Sequence, residues 1–416
     1  MGTVKVNKGH VGAMGDDCVV HRYRKADRER VFAFLRSAHS GGAGDRLIRQ
    51  WDWKFDANPF NREAEQHRRA DCKRMLPFLR ANRSPEELQS WFYQWGVTFE
   101  EDTVDRGDDP YVLLLQHGAE IIGMIAAQPL RFRIAGHEQW VANLGDWIMH
   151  PAHRERRLAP RLTRRLASEN PLLMSWENEF SQKRGAPPGP DIAKSPLAPL
   201  VKPLDWHDAV HQVSGSRLFG RAAGLAAASA RRVQSRLRAP AATRGVTVTA
   251  VKIFDDDINR LWQRACGDYP LLVVRNRRYL NWRFVSRPDA GYTLLLATRD
   301  TEPVGYMVLR VADRDGAPRG YLVDFLVAER SASIFAVLLR HAEDHLRGQG
   351  VPIFSCRIAP TAYQRILRRH GFHPVAFGQR GAIRVERNLP DAFLRIYTDL
   401  SQWYVTMGDG DMEMSI

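Results

Sequence analysis

The sequence predicts a mixed α/β protein made of two related halves, and three observations predict it. First, one pattern occurs twice. Trp53-Lys54-Phe55 with Pro59, the apolar run Tyr111 to Leu115, Gly123 and Asp146-Trp147-Ile148-Met149 are matched by Trp282-Arg283-Phe284 with Pro288, Tyr292 to Leu296, Gly305 and Asp324-Phe325-Leu326-Val327. Tryptophan to proline is six positions in both copies, and tyrosine to glycine is 12 in one and 13 in the other. A pattern repeated in order at near-constant spacing marks an internal duplication. Second, a strand and an amphipathic helix precede each copy: Val19 to Arg36 in the first, and Thr249 to Phe254 followed by Ile258, Leu261, Trp262 and Ala265 in the second. Third, a helix with one apolar stripe and then a short apolar strand follow each copy. The stripes are Leu158, Leu162, Leu166 and Ile334, Leu338, Ala342, Leu346; the strands are Leu172 to Trp176 and Pro352 to Cys356. Meandering strands followed by strand, helix and strand predict a mixed sheet in each half.

The 416 residues give room for two or three domains, and 44% hydrophobic with 26% charged residues is a globular composition. No apolar run approaches the roughly 18 residues that span a bilayer. Residues 1–18 read as a flexible, glycine-rich start without the apolar core of a signal peptide, so a cytoplasmic location is expected. Cys18, Cys72, Cys266 and Cys356 form no CxxC pair and suggest neither a zinc nor a redox site. The net charge of +14 favours anionic partners, but a general arginine bias gives the same excess, so charge alone selects none.

The halves read as 19–205 and 246–416, joined by 206–245. The first carries an insert, 62–108, that the second lacks. Within it Ser84, Pro85, Glu86 and Glu87 predict a helix start, and Trp91, Phe92 and Trp95 give that helix an aromatic face. These aromatics serve either to pack the insert on the sheet or as a lid. In the joining segment 217–238 reads as a basic amphipathic helix, for packing between the halves or for an anionic membrane surface.

Chemistry concentrates in 146–162. A strand ends at Met149, Pro151 forces a turn, and a loop rich in arginine opens into a helix with Pro160 near its first turn. Free N–H groups and the positive dipole end at a helix start bind anions, and Arg154, Arg156, Arg157 and Arg161 add charge-assisted donors. Such a site suits a pyrophosphate; a solvated basic helix start has the same sequence.

Strand, proline and Arg-x-x-x-x-Ala into a leucine-striped helix resembles the acyl-CoA motif of the GNAT acyltransferase superfamily, usually Gln/Arg-x-x-Gly-x-Gly/Ala. Arg154 and Ala159 match its ends, and Arg157 replaces its middle glycine. Ala328-Glu329-Arg330-Ser331-Ala332-Ser333 in the second copy lacks the pattern. Thr361 to Phe372 resembles the last helix of that fold, with Gly371-Phe372 as its usual ending. Trp-Arg-Phe after Arg278-Tyr279 is similar to bacterial tandem proteins of the superfamily, some associated with polysaccharide biosynthesis.

The resemblance implies tandem GNAT-like folds, each a mixed, mostly antiparallel twisted sheet flanked by helices. It implies an acyl-CoA-dependent N-acyltransferase in which a small amine, such as an amino sugar or sugar nucleotide, attacks the thioester of acetyl-CoA or another acyl-CoA directly, with no metal. Trp147, Ile148 and Met149 would line the pantetheine arm, Arg154, Arg156, Arg157, Leu158, Ala159 and Arg161 the pyrophosphate, and Asp146 and Glu177 would be candidate bases. Salt-bridged structural carboxylates are the competing reading of those two. The tyrosine that often protonates the leaving thiolate is missing, since the position four before Gly371 is Leu367. A Fem-type aminoacyl transferase drawing on charged tRNA and a ligand-binding member without turnover are the alternatives. His341 and His345, at i and i+4, lack the Glu of a zinc motif. Gly41 to Gly44 reads as a loop, and Asp409-Gly410-Asp411 as an acidic tail.

Overall fold

The computed structural model describes residues 17–70, 107–156, 158–170, 173–177, 199–205, 244–314, 316–374, 382–386 and 403–410. The insert helix expected from Pro85, the basic segment 217–238 and Arg157 lie outside them. No helix among the described residues is long and apolar enough to cross a membrane.

The first half begins with β1 (Cys18–Arg22), α1 (Arg28–Ala38) and α2 (Ala43–Trp51). The turn between the helices needs left-handed backbone at Gly41 and Gly42, which glycine adopts without a Cβ penalty. The chain then runs through β2 (Tyr111–His117), β3 (Glu120–Ile134), β4 (His137–Met149), α3 (Ala159–Glu169) and β5 (Leu173–Glu177). The second half repeats the order: β7 (Val246–Val251), α4 (Asp257–Ala265), the extra strand β8 (Leu271–Val273), α5 (Arg277–Phe284), β9 (Tyr292–Arg299), β10 (Glu302–Arg314), β11 (Ala317–Val327), α6 (Ala332–Gly348) and β12 (Ile353–Cys356). It continues with α7 (Thr361–Arg369) and β13 (His373–Pro374). The apolar stripes face the core as expected: Leu162 and Leu166 in one half, and Ile334, Leu338, Ala342 and Leu346 in the other, are all buried.

In each sheet four strands meander antiparallel and the strand after the striped helix lies parallel to the fourth. The strand beyond it in each sheet comes from the other half. β6 (Leu200–Pro203), which precedes the joining segment, pairs antiparallel with β12 of the second sheet, and β13 forms that edge by pairing with β6. β14 (Ala382–Glu386), near the chain end, pairs antiparallel with β5 of the first. The halves thus exchange strands. The division at 205 read from the sequence therefore does not coincide with the division between sheets, because position along the chain carries no record of which edge a strand completes.

The duplicated tryptophans lie where the halves meet. Trp53 and Trp282 stack with centroids 5.3 Å apart at 23°. Each indole N–H donates to the other's backbone carbonyl, at 2.8 Å from Trp53 and 3.2 Å from Trp282. This reciprocity is that of a two-fold contact, in which one patch meets its own copy. Each tryptophan is buried and satisfies its polar atom on the partner half, which explains why both copies keep the residue.

Candidate active site: an open fork and a filled fork

In the first half, β4 and β5 are hydrogen-bonded only from Ala142↔Leu173 to Leu144↔Ser175. Beyond that point they part. β4 continues to Met149 against Gly123 of β3, and β5 continues to Glu177 against Ala382 of β14. Each arm stays bonded to its outer neighbour, so the gap between them is a rigid fork. The split coincides with a bulge: Ile125 faces Trp147 and Ala127 faces Leu144, so Gly145 and Asp146 share one position opposite Ala126. A bulge bends a strand and re-aims its side chains. Here it turns Asp146 toward the α1–α2 face.

On that face the Lys54 ammonium, 1% exposed, bonds the Asp146 carboxylate at 2.8 Å, and Asp146 is itself 16% exposed. Lys54 is held there because 52–56, between Trp51 and Ala57, form a π-helical turn that buries Trp53, Lys54 and Phe55 together. Such turns insert one extra residue per turn and recur at functional sites. Asp146 is therefore a carboxylate in an ion pair that opens on the fork. Ile148 on the same face packs with Phe34, Leu35, Ala38, Trp51 and Phe55. Trp147 points the other way and is 47% exposed beside the fork, an unusual setting for so large an apolar ring. Met149, the last residue of β4, is half-buried against the main core. Glu177 ends the opposite arm; its side chain lies outside the described set.

After β4 the chain makes a short 3-10 turn, Pro151–Arg156, and enters α3. Arg154 is exposed and donates from Nε to the Met149 carbonyl at 3.2 Å, which ties the loop back to the strand end. Arg161, in the first turn of α3, donates to the Cys18 carbonyl at 3.2 Å. Leu158 is the N-cap and no side chain caps it; Ala159 and Pro160 follow. An uncapped helix start with a proline leaves donors and a positive dipole end for an anion. His117, His150 and His153 cluster beside this loop, with ring centroids 6.4 and 5.8 Å apart. The structure thus brings Asp146, Trp147, Ile148, Met149, Arg154, Leu158, Ala159 and Arg161 to one end of the sheet. Arg156 belongs there through its backbone.

The second half has the same fork and fills it. β11 and β12 separate after Leu322↔Cys356, with a bulge that leaves Val323 unmatched beside Asp324. Into the gap runs the segment 403–410, buried throughout. Its first two residues, β15 (Trp403–Tyr404), pair with β8, which itself pairs with β3 of the first sheet. Ala359 N–H donates to the Val405 carbonyl at 2.9 Å, Ile358 bridges Thr406, and the Tyr404 hydroxyl bonds the Phe325 carbonyl. The strand that a ligand would have to displace is part of the core.

Asp324, the counterpart of Asp146, is locked in this plug. Arg275, 0% exposed, donates to Asp324 at 3.0 Å and to Asp409 at 2.6 Å. Tyr306 and Thr406 hydroxyls donate to the same Asp324 carboxylate at 2.6 and 2.7 Å. Burial pushes the Asp409 carboxyl up from its ordinary value, and Arg275 opposes that shift. Arg283, the counterpart of Lys54, donates to the carbonyls of Gly408 and Gly410, both at 2.9 Å. Asp409 is thus no part of a solvated tail. The short acidic sequence hid a buried partner for an arginine 134 positions earlier.

The helix start differs in the same sense. Ser331 caps α6 by accepting from Ile334 N–H, and Arg330 lies over the Tyr269 ring at 4.7 Å. The second helix start thus has a side-chain cap and a stacked arginine, where among the described residues the first has neither. Tyr363, on the last helix α7, is buried and shares a hydrogen bond with Tyr269 at 2.9 Å; burial pushes it up to about 12. Leu367, at the position where the resemblance expects a proton-donating tyrosine, is core. His345 Nε2 contacts the Thr293 hydroxyl at 3.1 Å, and no group of three or more metal-binding side chains occurs among the described residues.

Neither protein-family models nor curated proteins match the chain. Solved structures resemble it. An N-myristoyltransferase from Saccharomyces cerevisiae with bound myristoyl-CoA and inhibitors aligns at 12% identity over 94% of this chain and 86% of that one, with a TM-score of 0.49. A GCN5-related N-acetyltransferase from Anabaena variabilis aligns at 15% identity over 72% and 71%, TM-score 0.44. A tandem GNAT protein from the clavulanic acid biosynthesis pathway aligns at 17% identity over 67% and 83%, TM-score 0.39. These are likenesses of overall shape, and nothing about substrate follows from them. By its own strand order, forked central strands and repeated helix, the chain is a tandem of two GNAT-like folds; segment 403–410 fills the second fork, and among the described residues no strand pairs between the arms of the first.

Proposed function

We propose that the protein is an acyl-CoA-dependent N-acyltransferase whose single cofactor site is the open fork of the first half. The observation that carries this reading is the convergence of that fork, an uncapped helix start and Arg154 and Arg161 at one end of the sheet. An extended arm with a diphosphate at its end matches that layout. The arm lies between β4 and β5, where it takes the place of strand-to-strand hydrogen bonds, and its phosphates lie at α3. The backbone of Trp147, Ile148 and Met149 flanks the arm, and Arg154, Leu158, Ala159 and Arg161 surround the phosphates; Arg156 and Arg157 are assigned to the same role by the sequence motif alone. Free β4 amides at the fork polarise the thioester carbonyl. Asp146 stands on one arm and Glu177 ends the other, and we assign to Asp146, with Glu177 as the alternative, removal of the ammonium proton of the acceptor. The amine nitrogen then forms the C–N bond, the C–S bond breaks, and the second proton that the nitrogen sheds passes through solvent to the departing sulfur. Acetyl-CoA is the simplest acyl donor for the site, and a small amine such as an amino sugar the acceptor we favour.

Calorimetric titration with acetyl-CoA and longer acyl-CoAs tests this. Saturable binding is expected; no heat at millimolar ligand would sink the cofactor assignment. An Asp146→Asn variant that binds acyl-CoA and turns over normally would remove Asp146 from the chemistry.

A further inference from the structure

The α1–α2 face of the first sheet carries a polar seam between two apolar clusters. Toward the fork, Val112, Met124, Ala126 and Ile148 pack under α1 and α2. Toward the second half, Leu130, Phe132 and Val141 pack with Phe60, Tyr279 and Trp282. Between them lie Gln128 and Asn143, which face each other directly across β3 and β4. Alternation along β3 and β4, corrected for the bulge, puts them on the same face as Asp146.

Gln128 is 4% and Asn143 0% exposed. Gln128 Nε2 and both Asn143 Nδ2 and Oδ1 have no hydrogen-bond partner. Buried amides are almost always satisfied, so three orphan atoms on one register pair are unusual. A further orphan lies at the outer end of the seam. His39, just past the end of α1, has a sealed Nε2 with no partner, and the charges acting on its ring are Asp146, Arg154 and Arg46. Burial lowers the His39 pKa below its ordinary value, so the ring is neutral near pH 7 and Nε2 is an acceptor in its Nδ1–H tautomer. Asp146 lies on β4, Arg154 in the arginine loop and Arg46 on α2, so the ring sits within electrostatic reach of the Asp146 end of the seam.

Resting on the acyltransferase reading, we propose that Gln128, Asn143, Asp146 and His39 form the acceptor subsite, and that the acceptor is a small amine bearing several hydroxyl or amide groups. The donor and acceptor inventory fits that class. Asn143 Oδ1, His39 Nε2 and the Asp146 carboxylate accept hydrogen bonds, as an ammonium and hydroxyl hydrogens require. Gln128 Nε2 and Asn143 Nδ2 donate, as hydroxyl or carbonyl oxygens require. An apolar amine would leave these buried atoms unpaired, and a site built this way discriminates strongly against it. Lys54 positions Asp146 through their 2.8 Å contact. Gln128, Asn143 and His39 set specificity rather than bind the acyl donor.

The test uses the full chain with acetyl-CoA, and D-glucosamine and cyclohexylamine as probes that differ in hydroxyls on a similar ring. Acceptor-dependent thiol release should favour glucosamine by at least about 100-fold, as loss of matched hydroxyl contacts implies. In the Gln128→Met/Asn143→Leu double variant that preference should collapse, with acetyl-CoA affinity by calorimetry unchanged. Equal rates for both amines, no release with either, or a preference that survives the double variant would overturn the subsite. Absence of acetyl-CoA binding in the unaltered protein would instead overturn the acyltransferase reading on which it rests. Thermal unfolding gives a check independent of substrate. If the orphan atoms await a ligand, the double variant should melt at the same or a higher temperature than the parent, because paired removal of unsatisfied polar groups is neutral or stabilising. A markedly lower midpoint would assign them to internal structure and overturn the proposal.

Discussion

The two forks share one plan and differ in what occupies it. In the second half Asp324 meets a buried arginine, two hydroxyls and the chain's own segment 403–410. In the first half Asp146 meets a lysine and the opening between β4 and β5. In the second arrangement the aspartate and the fork are taken up by the chain itself, whereas the first leaves Asp146 beside the parting of β4 and β5 and an exposed tryptophan next to it. One copy thus uses its fork to hold the chain's own segment, and the proposed acyl donor would occupy the other.

The largest expected effect lies in the filled fork. Arg275→Met leaves the Asp324 and Asp409 carboxylates buried without their cation and should cost about 3–5 kcal/mol in urea unfolding, as for other broken buried pairs. Lys54→Met removes one charged hydrogen bond from a carboxylate that still reaches solvent, so its cost should be smaller, about 1.5–3 kcal/mol. Equal costs would erase the distinction between the forks. Next, charge reversal of Arg154 and Arg157 to Glu should weaken acetyl-CoA binding by at least about 100-fold, as loss of two charge-assisted contacts implies, while Arg330→Glu leaves it unchanged. Equal losses would mean that the second helix start binds the phosphates. Gly408→Ala should cost about 1–3 kcal/mol by overpacking, because a Cβ there would come within 2.9 Å of Phe284 Cζ and 3.2 Å of Asp324 Cβ. Acetyl-CoA affinity should not change. The smallest effect is at the contact between halves: a double-mutant cycle on Trp53 and Trp282 to Leu should show a coupling of about 0.5–1.5 kcal/mol from the stacked rings. Strict additivity would mean that the two indoles do not act as one contact.

Local pattern made much of this legible. The stripes on α3 and α6, the strands of both meanders and the last helix α7 follow from periodicity, since a helix or strand must show its apolar face every 3.6 or 2 residues. The arginine loop and its helix start could be read because proline and arginine there have a local meaning. Long-range pairing could not. Nothing near Leu200 or Ala382 says that each strand completes the other half's sheet. Asp409 reads as tail because its partner Arg275 lies in another part of the chain. Gln128, Asn143 and His39 carry no motif. Their meaning comes from register across β3 and β4 and from burial, which a single sequence does not display. One signal was available: Gln128 and Asn143 are amides inside runs that otherwise read as apolar strands, and such interruptions are costly unless used.

Hydrogen–deuterium exchange of the full chain with and without acetyl-CoA tests the central claim most directly, because it reports both forks in one measurement. New protection confined to 145–161 and β5, with 324–334 unchanged, is the result expected if only the first fork takes the acyl donor. Protection at 324–334, or none in either fork at saturating ligand, would contradict it.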